Sequence, residues 1–331
     1  MAFLRRCTAE AYDAGVTRNL TLGRLSVTEL RLLRARLGLD YHQQTKGILK
    51  IAKSDADLAD LRDKAAKLTA KGAQVRFVDA AECAGIEPAL EPAVAAGEVR
   101  GGIHFLDDES GDAHLFTEEL TKAAEEAGVT FRYGTAVEAL ETAGKAVTGI
   151  RTSSGPVACD HVVVCLGVGS RALLRPLGIR LPVYPVKGYS VTVDLDGSNI
   201  APAVSLTDEE RRVVVSRFGT QLRVAGMAEL AGNDLTIDPA RARAVRQALD
   251  DLFPGLARLP DARVWTGLRP MTPDGGAIIG AAPPWANLTL NTGHGTYGWT
   301  MACGSARLVA DLVSGETPPL DMGLVSLARF R

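Results

Sequence analysis

In the first part of the chain, segments with apolar residues at helical spacing alternate with short, continuous apolar runs. Apolar residues at helical spacing predict helices, and short apolar runs predict strands. In chain order, the pattern predicts a helix at 26–37, a strand at 47–52, a helix at 54–71, a strand at 75–78, a helical turn at 80–84, a new region from 101–105, a helix at 112–128 and a strand at 129–133. Ser26 with Glu29 has capping-box spacing, and we expect the helix at 26–37 to be the tail of a longer helical region. Ser54 with Asp57 caps the next helix, and Gly72 ends it.

The second part of the chain predicts strands of two kinds. The nearly continuous apolar run at 161–166 is typical of a strand buried on both faces of a parallel sheet. After Pro176 the alternation favours antiparallel strands. The predicted elements are a hairpin at 147–151 and 157–159, strands at 189–195, 212–218, 221–227, 262–266, 277–279 and 288–291, and helices at 239–252 and 300–313. The fold class is therefore α/β with mixed α+β character.

Composition narrows the function classes. The 331 residues are enough for two domains, and a net charge of −2 gives no reason to expect a nucleic-acid partner. The five cysteines include no C-x-x-C pair, so neither a disulfide framework nor a metal site is expected. Without a signal peptide or an apolar run long enough to span a bilayer, we expect a cytoplasmic protein, with peripheral attachment to the inner face of the plasma membrane as the alternative.

Two motifs near the end of the chain carry the chemistry. Arg269 lies between Gly267 and Pro270, where it offers a rigid, permanently charged fork to a carboxylate. The segment 291–302 is a glycine-rich turn that enters a helix, where backbone N–H groups can approach an anionic ring. Together they indicate a site at which an amino acid is oxidised.

Five segments carry a resemblance to a known family: 107–112, 183–190, 224–229, 264–275 and 291–302. Through them the chain resembles the D-amino-acid oxidase superfamily and, within it, most closely the small subunit of the bacterial D-amino-acid dehydrogenases. The resemblance implies an FAD-binding α/β domain (101–180 and 263–331) interleaved with a substrate domain on a mixed, largely antiparallel sheet (1–100 and 181–262). The chain does not open with a strand, a G-x-G-x-x-G turn and a helix, so the FAD-binding domain is expected to be N-terminally truncated.

The resemblance also implies roles for individual residues. Arg269 would bind the substrate carboxylate, and Tyr189 would contribute to the substrate pocket. The implied cofactor contacts are Val137 to the adenine, Gly167 beside the dinucleotide, Lys187 near the isoalloxazine, and Gly293, His294, Gly295, Thr296, Tyr297 and Gly298 around the pyrimidine edge.

Simpler interpretations exist for several of these residues. Arg269 could pair with a surface carboxylate, and His294 could be a base or a helix cap. Lys187 could be catalytic, or it could be a solvated charge. The acidic stretch 107–112 between His104 and His114 could be mistaken for a metal cluster, but its spacing favours a loop with a helix cap.

The resemblance implies FAD-dependent oxidative deamination of D-amino acids, such as D-alanine, to 2-oxo acids and ammonia, with hydride transfer from Cα to flavin N5. The implied electron acceptor is a quinone or another respiratory acceptor. One alternative is an incomplete or non-catalytic fragment, or half of a split flavoenzyme whose partner chain supplies the missing nucleotide-binding unit. Another is a glycine- or sarcosine-type oxidase. Such oxidases can carry a second carboxylate-binding arginine at the position that Thr296 and Tyr297 occupy here, which argues against this alternative.

Overall fold

The structure is a computed structural model that describes residues 3–197 and 201–330. The helices are α1 (Ala9–Leu37), α2 (Asp55–Ala70), α3 (Ala80–Ile86), α4 (Glu91–Ala95), α5 (Ala113–Glu126), α6 (Ser170–Leu174), α7 (Pro239–Leu252) and α8 (Gly298–Ser314). The strands are β1 (Ile48–Ala52), β2 (Val75–Asp79), β3 (Gly101–Phe105), β4 (Val137–Ala143), β5 (Ala146–Thr152), β6 (Gly155–Ala158), β7 (Val162–Val164), β8 (Tyr184–Asp194), β9 (Ser205–Asp208), β10 (Val213–Phe218), β11 (Gln221–Glu229), β12 (Asp261–Met271), β13 (Ile278–Ala281) and β14 (Leu288–Thr292). Among the described residues, no helix is both long and apolar enough to cross a bilayer.

The chain divides into two compact units, which we call the first unit and the second unit. Among the described residues, the first unit comprises 3–38, 121–186 and 268–330. The second unit comprises 39–120 and 187–267, apart from 198–200.

The first unit contains two small sheets and the pair of helices α1 and α8. One sheet has the order β13-β14-β7, with β14 antiparallel to β13 and parallel to β7. The other is the antiparallel sheet β4-β5-β6. Helices α1 and α8 approach so closely at Gly304 that a Cβ there would lie 2.9 Å from the backbone nitrogen of Ser26. The glycine thus permits backbone-to-backbone packing.

The second unit holds most of an eight-stranded sheet of order β12-β8-β11-β10-β9-β1-β3-β2. Strand β1 is parallel to β9, whereas β1–β3, β2–β3, β9–β10, β10–β11 and β8–β11 are antiparallel. The side chains of Val191, Leu206 and Leu222 are buried in its core together with Leu249 of α7. The sheet is therefore mixed and largely antiparallel, as the sequence predicts.

Most of the predicted elements are confirmed. Helix α2 begins after Ser54, whose hydroxyl accepts from the backbone N–H of Asp57 at 3.1 Å, and α7 has the predicted bounds. The predicted hairpins occur as β5–β6 and as β10–β11, and the latter turns at Gly219 with a φ of 59°. Local capping and turn chemistry decides these features, which explains why sequence reasoning finds them.

The predicted capping box at Ser26 is wrong. Helix α1 begins at Ala9, and the side chain of Thr8 accepts the capping hydrogen bond from the N–H of Ala11 at 3.2 Å. Ser26 is buried in the middle of the helix, and the prediction that 26–37 is the tail of a longer helical region is confirmed. Packing against α8 overrides the local capping signal.

Two strand predictions in the first unit are also corrected. Residues 129–133 form no strand, and Val129, Phe131 and Tyr133 are 51%, 37% and 73% exposed. Strand β7 is shorter than predicted and is an edge strand with Val163 37% exposed, so it is not buried on both faces. A strand needs a neighbour to satisfy its backbone groups. The described residues offer none to 129–133, and they offer β7 a neighbour, β14, on one side only.

The domain boundaries differ from the predicted 100, 180 and 262. The divisions fall after Gly38, Leu120, Val186 and Gly267. Residues 3–38 belong to the first unit because α1 packs on α8. The region from Gly101 does not begin a new domain, because β3 pairs with β1 and β2.

Candidate functional site

Arg269 lies in β12, where the sequence predicts a strand only as far as Thr266. Its side chain is half-buried, and this burial lowers the pKa of the guanidinium from its usual value. An arginine titrates so far above neutrality that it keeps its charge. A strand-borne, partly desolvated guanidinium is suited to binding a carboxylate tightly and in a fixed orientation.

The glycine turn follows β14 and leads through a 3-10 turn, Gly295–Tyr297, into α8. Gly293 and Gly295 have φ values of 75° and 57°. A Cβ on Gly293 would lie 2.8 Å from Thr272 Cγ2, and one on Gly295 would lie 2.8 Å from Met271 Sδ. Both positions therefore require glycine for reasons internal to the chain.

Gly298, the first residue of α8, is different. Its φ is −54°, and a Cβ there would meet only His294 Cβ, at 3.9 Å. The side chain of the preceding residue, Tyr297, makes no capping hydrogen bond to α8. The start of a 17-residue helix thus presents N–H groups beside an exposed glycine, which is the chemistry of an anion site.

The six residues Gly293–Gly298 also have the spacing G-x-G-x-x-G between a strand and a helix, which sequence reasoning overlooked. A dinucleotide-binding turn of this type belongs to a βαβ unit. Among the described residues, no strand follows α8. The turn therefore has the spacing but not the βαβ context of a dinucleotide-binding unit, and its predicted contact with the flavin ring stays a prediction.

The ring of His294 is directed toward α8, where its Nε2 lies 2.9 Å from Ser305 Oγ. Burial lowers the pKa of His294 to about 4. The imidazole is therefore neutral near pH 7, and its hydrogen bond to Ser305 fixes the turn against the helix. Whether His294 also contacts a flavin stays a prediction.

The carboxyl ends of β7 and β14 are joined near Gly167. Thr292 donates its hydroxyl to the carbonyl of Gly167 at 3.0 Å, and Ser170 donates to Thr292 Oγ1 at 3.2 Å. The buried Oδ1 of Asn291 accepts no hydrogen bond from the described residues. Ligands of α/β sheets bind beyond the carboxyl ends of parallel strands, and an unsatisfied acceptor there calls for a donor.

Val137 is the first residue of β4 and is 41% exposed. It pairs with Thr152 of β5 in the antiparallel sheet of the first unit. Its predicted backbone contact to the adenine stays a prediction.

Lys187 and Tyr189 lie in one ion-pair cluster of the second unit. Lys187 is only 2% exposed, and its Nζ lies 3.3 Å from Glu229 Oε2, 3.5 Å from Asp234 Oδ2 and 3.0 Å from the carbonyl oxygen of Thr236. Tyr189 donates its hydroxyl to Glu229 Oε2 at 2.7 Å. Lys187 is thus not a solvated surface charge. The contacts of these two side chains stabilise the cluster, and their proposed roles toward substrate and flavin stay predictions.

These contacts also set the pKa values in the cluster. The hydrogen bond from Tyr189 lowers the pKa of Glu229, against the effect of burial, and Lys187 lowers it further. Burial alone would lower the pKa of Lys187, but its contacts with Tyr189, Glu229 and Asp234 raise it. Lys187 and Glu229 therefore remain a charged pair at neutral pH.

A second ion-pair cluster was missed by sequence reasoning. Asp274, in the loop after β12, accepts from Arg18 Nη1 at 3.0 Å and from Arg329 Nε at 2.9 Å. Arg329 also donates to the carbonyl of Gly276 at 2.6 Å. Although burial would raise the pKa of Asp274, Arg329 and Arg18 lower it. The two arginines hold the loop that follows the strand of Arg269.

The acidic stretch in the second unit provides a helix cap. Asp112 Oδ1 accepts from the N–H groups of His114 and Leu115, at 2.9 and 3.4 Å. This confirms the favoured interpretation of 107–112. Within the described ranges, no cluster of three His, Cys, Asp or Glu side chains is placed to hold a metal ion.

Comparisons with known proteins agree with the flavin and carboxylate chemistry that this geometry supports. The profile of the family described as FAD dependent oxidoreductase (DAO) matches residues 6–312. A D-amino acid dehydrogenase of Cereibacter sphaeroides is 44% identical over 330 residues, covering 100% of this chain and 75% of that protein. One from Methylobacterium radiotolerans is 44% identical over 328 residues, covering 99% and 78%.

Two solved structures show the fold. The glycine oxidase of Bacillus cereus has a TM-score of 0.82 and 23% identity, covering 92% of this chain and 82% of that chain. The L-proline dehydrogenase of P. horikoshii has a TM-score of 0.83 and 20% identity, covering 93% and 82%. At such identities the similarity concerns architecture and not substrate.

Proposed function

We propose that this chain, which belongs to the DAO family of FAD-dependent oxidoreductases, oxidises D-amino acids such as D-alanine to 2-oxo acids and ammonia. The observation that carries the substrate class is the 44% identity, over 330 residues, to a D-amino acid dehydrogenase. The first unit supplies a suitable carboxylate-binding group in Arg269 and a suitable cofactor turn in Gly293–Gly298.

The residues of the first unit fit a flavin. The N-terminus of α8, which has no side-chain cap, offers N–H donors. The exposed Gly298 allows a ring to approach closely, and the unsatisfied Oδ1 of Asn291 offers an acceptor. We assign Gly293–Gly298 to the pyrimidine edge and Gly167 to the dinucleotide. FAD, when bound, accepts the hydride released from the substrate Cα. The helix N–H groups would stabilise negative charge at the ring.

Arg269 would orient the substrate by its carboxylate. Orientation is the main requirement for hydride transfer, because the amino group has only to be neutral when the hydride leaves. His294, with a pKa near 4 and a hydrogen bond to Ser305, is a weak base, and the proposal gives it no proton to move.

We propose further that the pyrophosphate of FAD is held by a strand–turn–helix unit that pairs with β7, whether supplied by the same polypeptide or by a partner chain. In support, β7 is an edge strand of its sheet, so one side of its backbone is unpaired. The apolar side chains of Val163 and of 129–133 are exposed, and such a unit could bury them. Pairing with an edge strand satisfies its free backbone groups.

We propose a quinone or another respiratory carrier as the electron acceptor, and a location in the cytoplasm or on the inner face of the plasma membrane. The names of the dehydrogenase relatives support an acceptor other than oxygen. The alternative is a glycine- or sarcosine-type oxidase, because the matched family, described as FAD dependent oxidoreductase, is not defined by one substrate.

A substrate panel tests this proposal. The chain joined to a strand–G-x-G-x-x-G–helix unit is assayed with D-alanine, L-alanine, glycine and sarcosine, using either a quinone analogue or oxygen as acceptor. The proposal expects turnover of D-alanine with the quinone analogue. Hydrogen peroxide formed from glycine or sarcosine would favour the oxidase, and preference for L-alanine would contradict the proposal.

A further inference from the structure

Three arginine side chains line one cavity of the first unit. The cavity has a volume of about 480 Å³, and its lining includes Arg171, Arg175 and Arg180. We call these three residues and their cavity the arginine cavity. The remaining lining residues are Gly178, Ile179 and Leu181. Its size falls in the range of small-molecule sites.

Local structure brings the three arginines together. Arg171 and Arg175 are four residues apart, and the N–H of Arg175 bonds to the carbonyl of Arg171, so both side chains lie on one helical face. Gly178 then reverses the chain with a φ of 76°. Arg180 follows, exposed between the buried Ile179 and Leu181.

The backbone around the arginine cavity is anchored. The N–H of Ile179 bonds to the carbonyl of Leu174 at 3.3 Å, and Trp285 donates its indole N–H to the carbonyl of Leu177 at 3.3 Å. These contacts fix the backbone from which the three exposed arginine side chains extend.

The charges of the arginine cavity are not compensated within the described part of the chain. No carboxylate there forms an ion pair or hydrogen bond with any of the three guanidinium groups. Other arginines of this unit are paired, as Arg18 and Arg329 are with Asp274. Three like charges around one cavity repel each other, and a bound anion would remove that repulsion.

A favourable interaction with the end of α6 explains only part of the arrangement. Arg171 lies in the last turn of α6, where a cation is favoured. Arg180 lies beyond the turn at Gly178 and outside the helices, so this interaction does not account for it.

We propose that the arginine cavity binds a phosphate-bearing anion. The planar guanidinium group matches phosphate oxygens in bidentate fashion, and the cavity has room for more than one phosphate group. Two sources share this chemistry, a free phosphate compound and the headgroup of an anionic phospholipid. The residues that line the arginine cavity include none of those assigned above to the flavin or the amino-acid substrate.

The test measures two kinds of binding. Calorimetry with pyrophosphate tests the free compound, and cosedimentation with phosphatidylglycerol vesicles, against phosphatidylcholine vesicles, tests the headgroup. The triple variant R171Q/R175Q/R180Q should weaken the binding by at least about tenfold, and 1 M salt should weaken it similarly in the unchanged chain.

The matched control is R100Q/R132Q/R243Q, which removes three exposed arginines elsewhere and changes the net charge equally. It should bind as the unchanged chain does. Binding to pyrophosphate alone identifies a soluble ligand, and binding to phosphatidylglycerol vesicles alone identifies the lipid. The proposal is overturned if neither is bound, or if the control loses binding as much as the triple variant. Thermal melting shows that both variants are folded.

Discussion

Arg269 is the residue on which substrate binding depends in this account. In a form that holds FAD, Arg269→Ala should lower kcat/KM for D-alanine by an amount equivalent to about 2–5 kcal/mol, because the substrate carboxylate loses its charged partner. FAD content should not change. Arg263→Ala, an exposed arginine on the same strand, is the control and should have little effect. A loss of less than tenfold for Arg269→Ala would show that it does not bind the carboxylate.

His294 gives the stability of the chain a specific pH dependence. Its folded-state pKa of about 4 lies below the usual value of 6.5, so the folded state binds fewer protons than the unfolded state between these pH values. The resulting stability is complete above pH 6.5 and is lost as the pH falls toward 4, by about 3 kcal/mol in total.

Denaturant titrations at pH 7 and pH 5 measure this effect. The unchanged chain should lose about 2 kcal/mol more between these pH values than His294→Gln. His114→Gln is the control, since its side chain is 79% exposed. Equal pH dependence in the unchanged chain and in His294→Gln would mean that His294 titrates normally.

Among single residues, the sequence identifies those whose role follows from their immediate neighbours in the chain. Arg269 and Gly293–Gly298 stand in short motifs with a direct chemical meaning. Asp274 stands in a motif too, but its partners Arg18 and Arg329 are 256 and 55 residues away in the chain. No local pattern records such pairings, so the loop cluster could only be seen in the structure.

In the turn between β14 and α8, substitutions at two glycines should distinguish flavin binding from stability. The backbone tolerates a Cβ at Gly298 but not at Gly295. In a form that holds FAD, Gly298→Val should weaken FAD binding by at least about tenfold, with little change in the melting temperature of the apo form.

Gly295→Val is the matched comparison. It should lower the stability of the apo form by about 1 kcal/mol or more, because valine is strained at a φ of 57°. Flavin titration and apo-form melting measure the two effects. Normal FAD affinity and a lowered melting temperature for Gly298→Val would assign this glycine to packing instead.

Element boundaries were predictable where capping residues and turns decide them, as at Ser54 and Gly219. They were not predictable where packing between distant segments decides. The capping signal at Ser26 is overridden by contact with α8, and the apolar alternation at 129–133 forms no strand for want of a neighbour. Both errors concern interactions that a local window does not contain.

For the whole molecule, the sequence predicted two interleaved parts but not their boundaries. Helix α1 belongs with α8, which begins 261 residues after the end of α1. Strand β3 joins β1 rather than opening a new domain. Membership in a unit follows from long-range pairing, which composition and periodicity do not report.

The 331-residue chain, purified alone, should retain FAD poorly. Its described residues contain a glycine turn for the ring but no βαβ unit for the pyrophosphate, whose charge-assisted contacts are worth about 1.5–3 kcal/mol each. Absorbance after gel filtration measures retention. Stoichiometric FAD would contradict this prediction and require another phosphate site within the chain.

The central claim is that Arg269 and the glycine turn serve the oxidation of D-amino acids. The most direct test is anaerobic mixing of D-alanine or L-alanine with the chain joined to a strand–G-x-G-x-x-G–helix unit and loaded with FAD, while the oxidised flavin absorbance is followed. The account predicts rapid bleaching by D-alanine, slow or no bleaching by L-alanine, and loss of the D-alanine response in Arg269→Ala. Bleaching at equal rates by both enantiomers, or by neither, would contradict it.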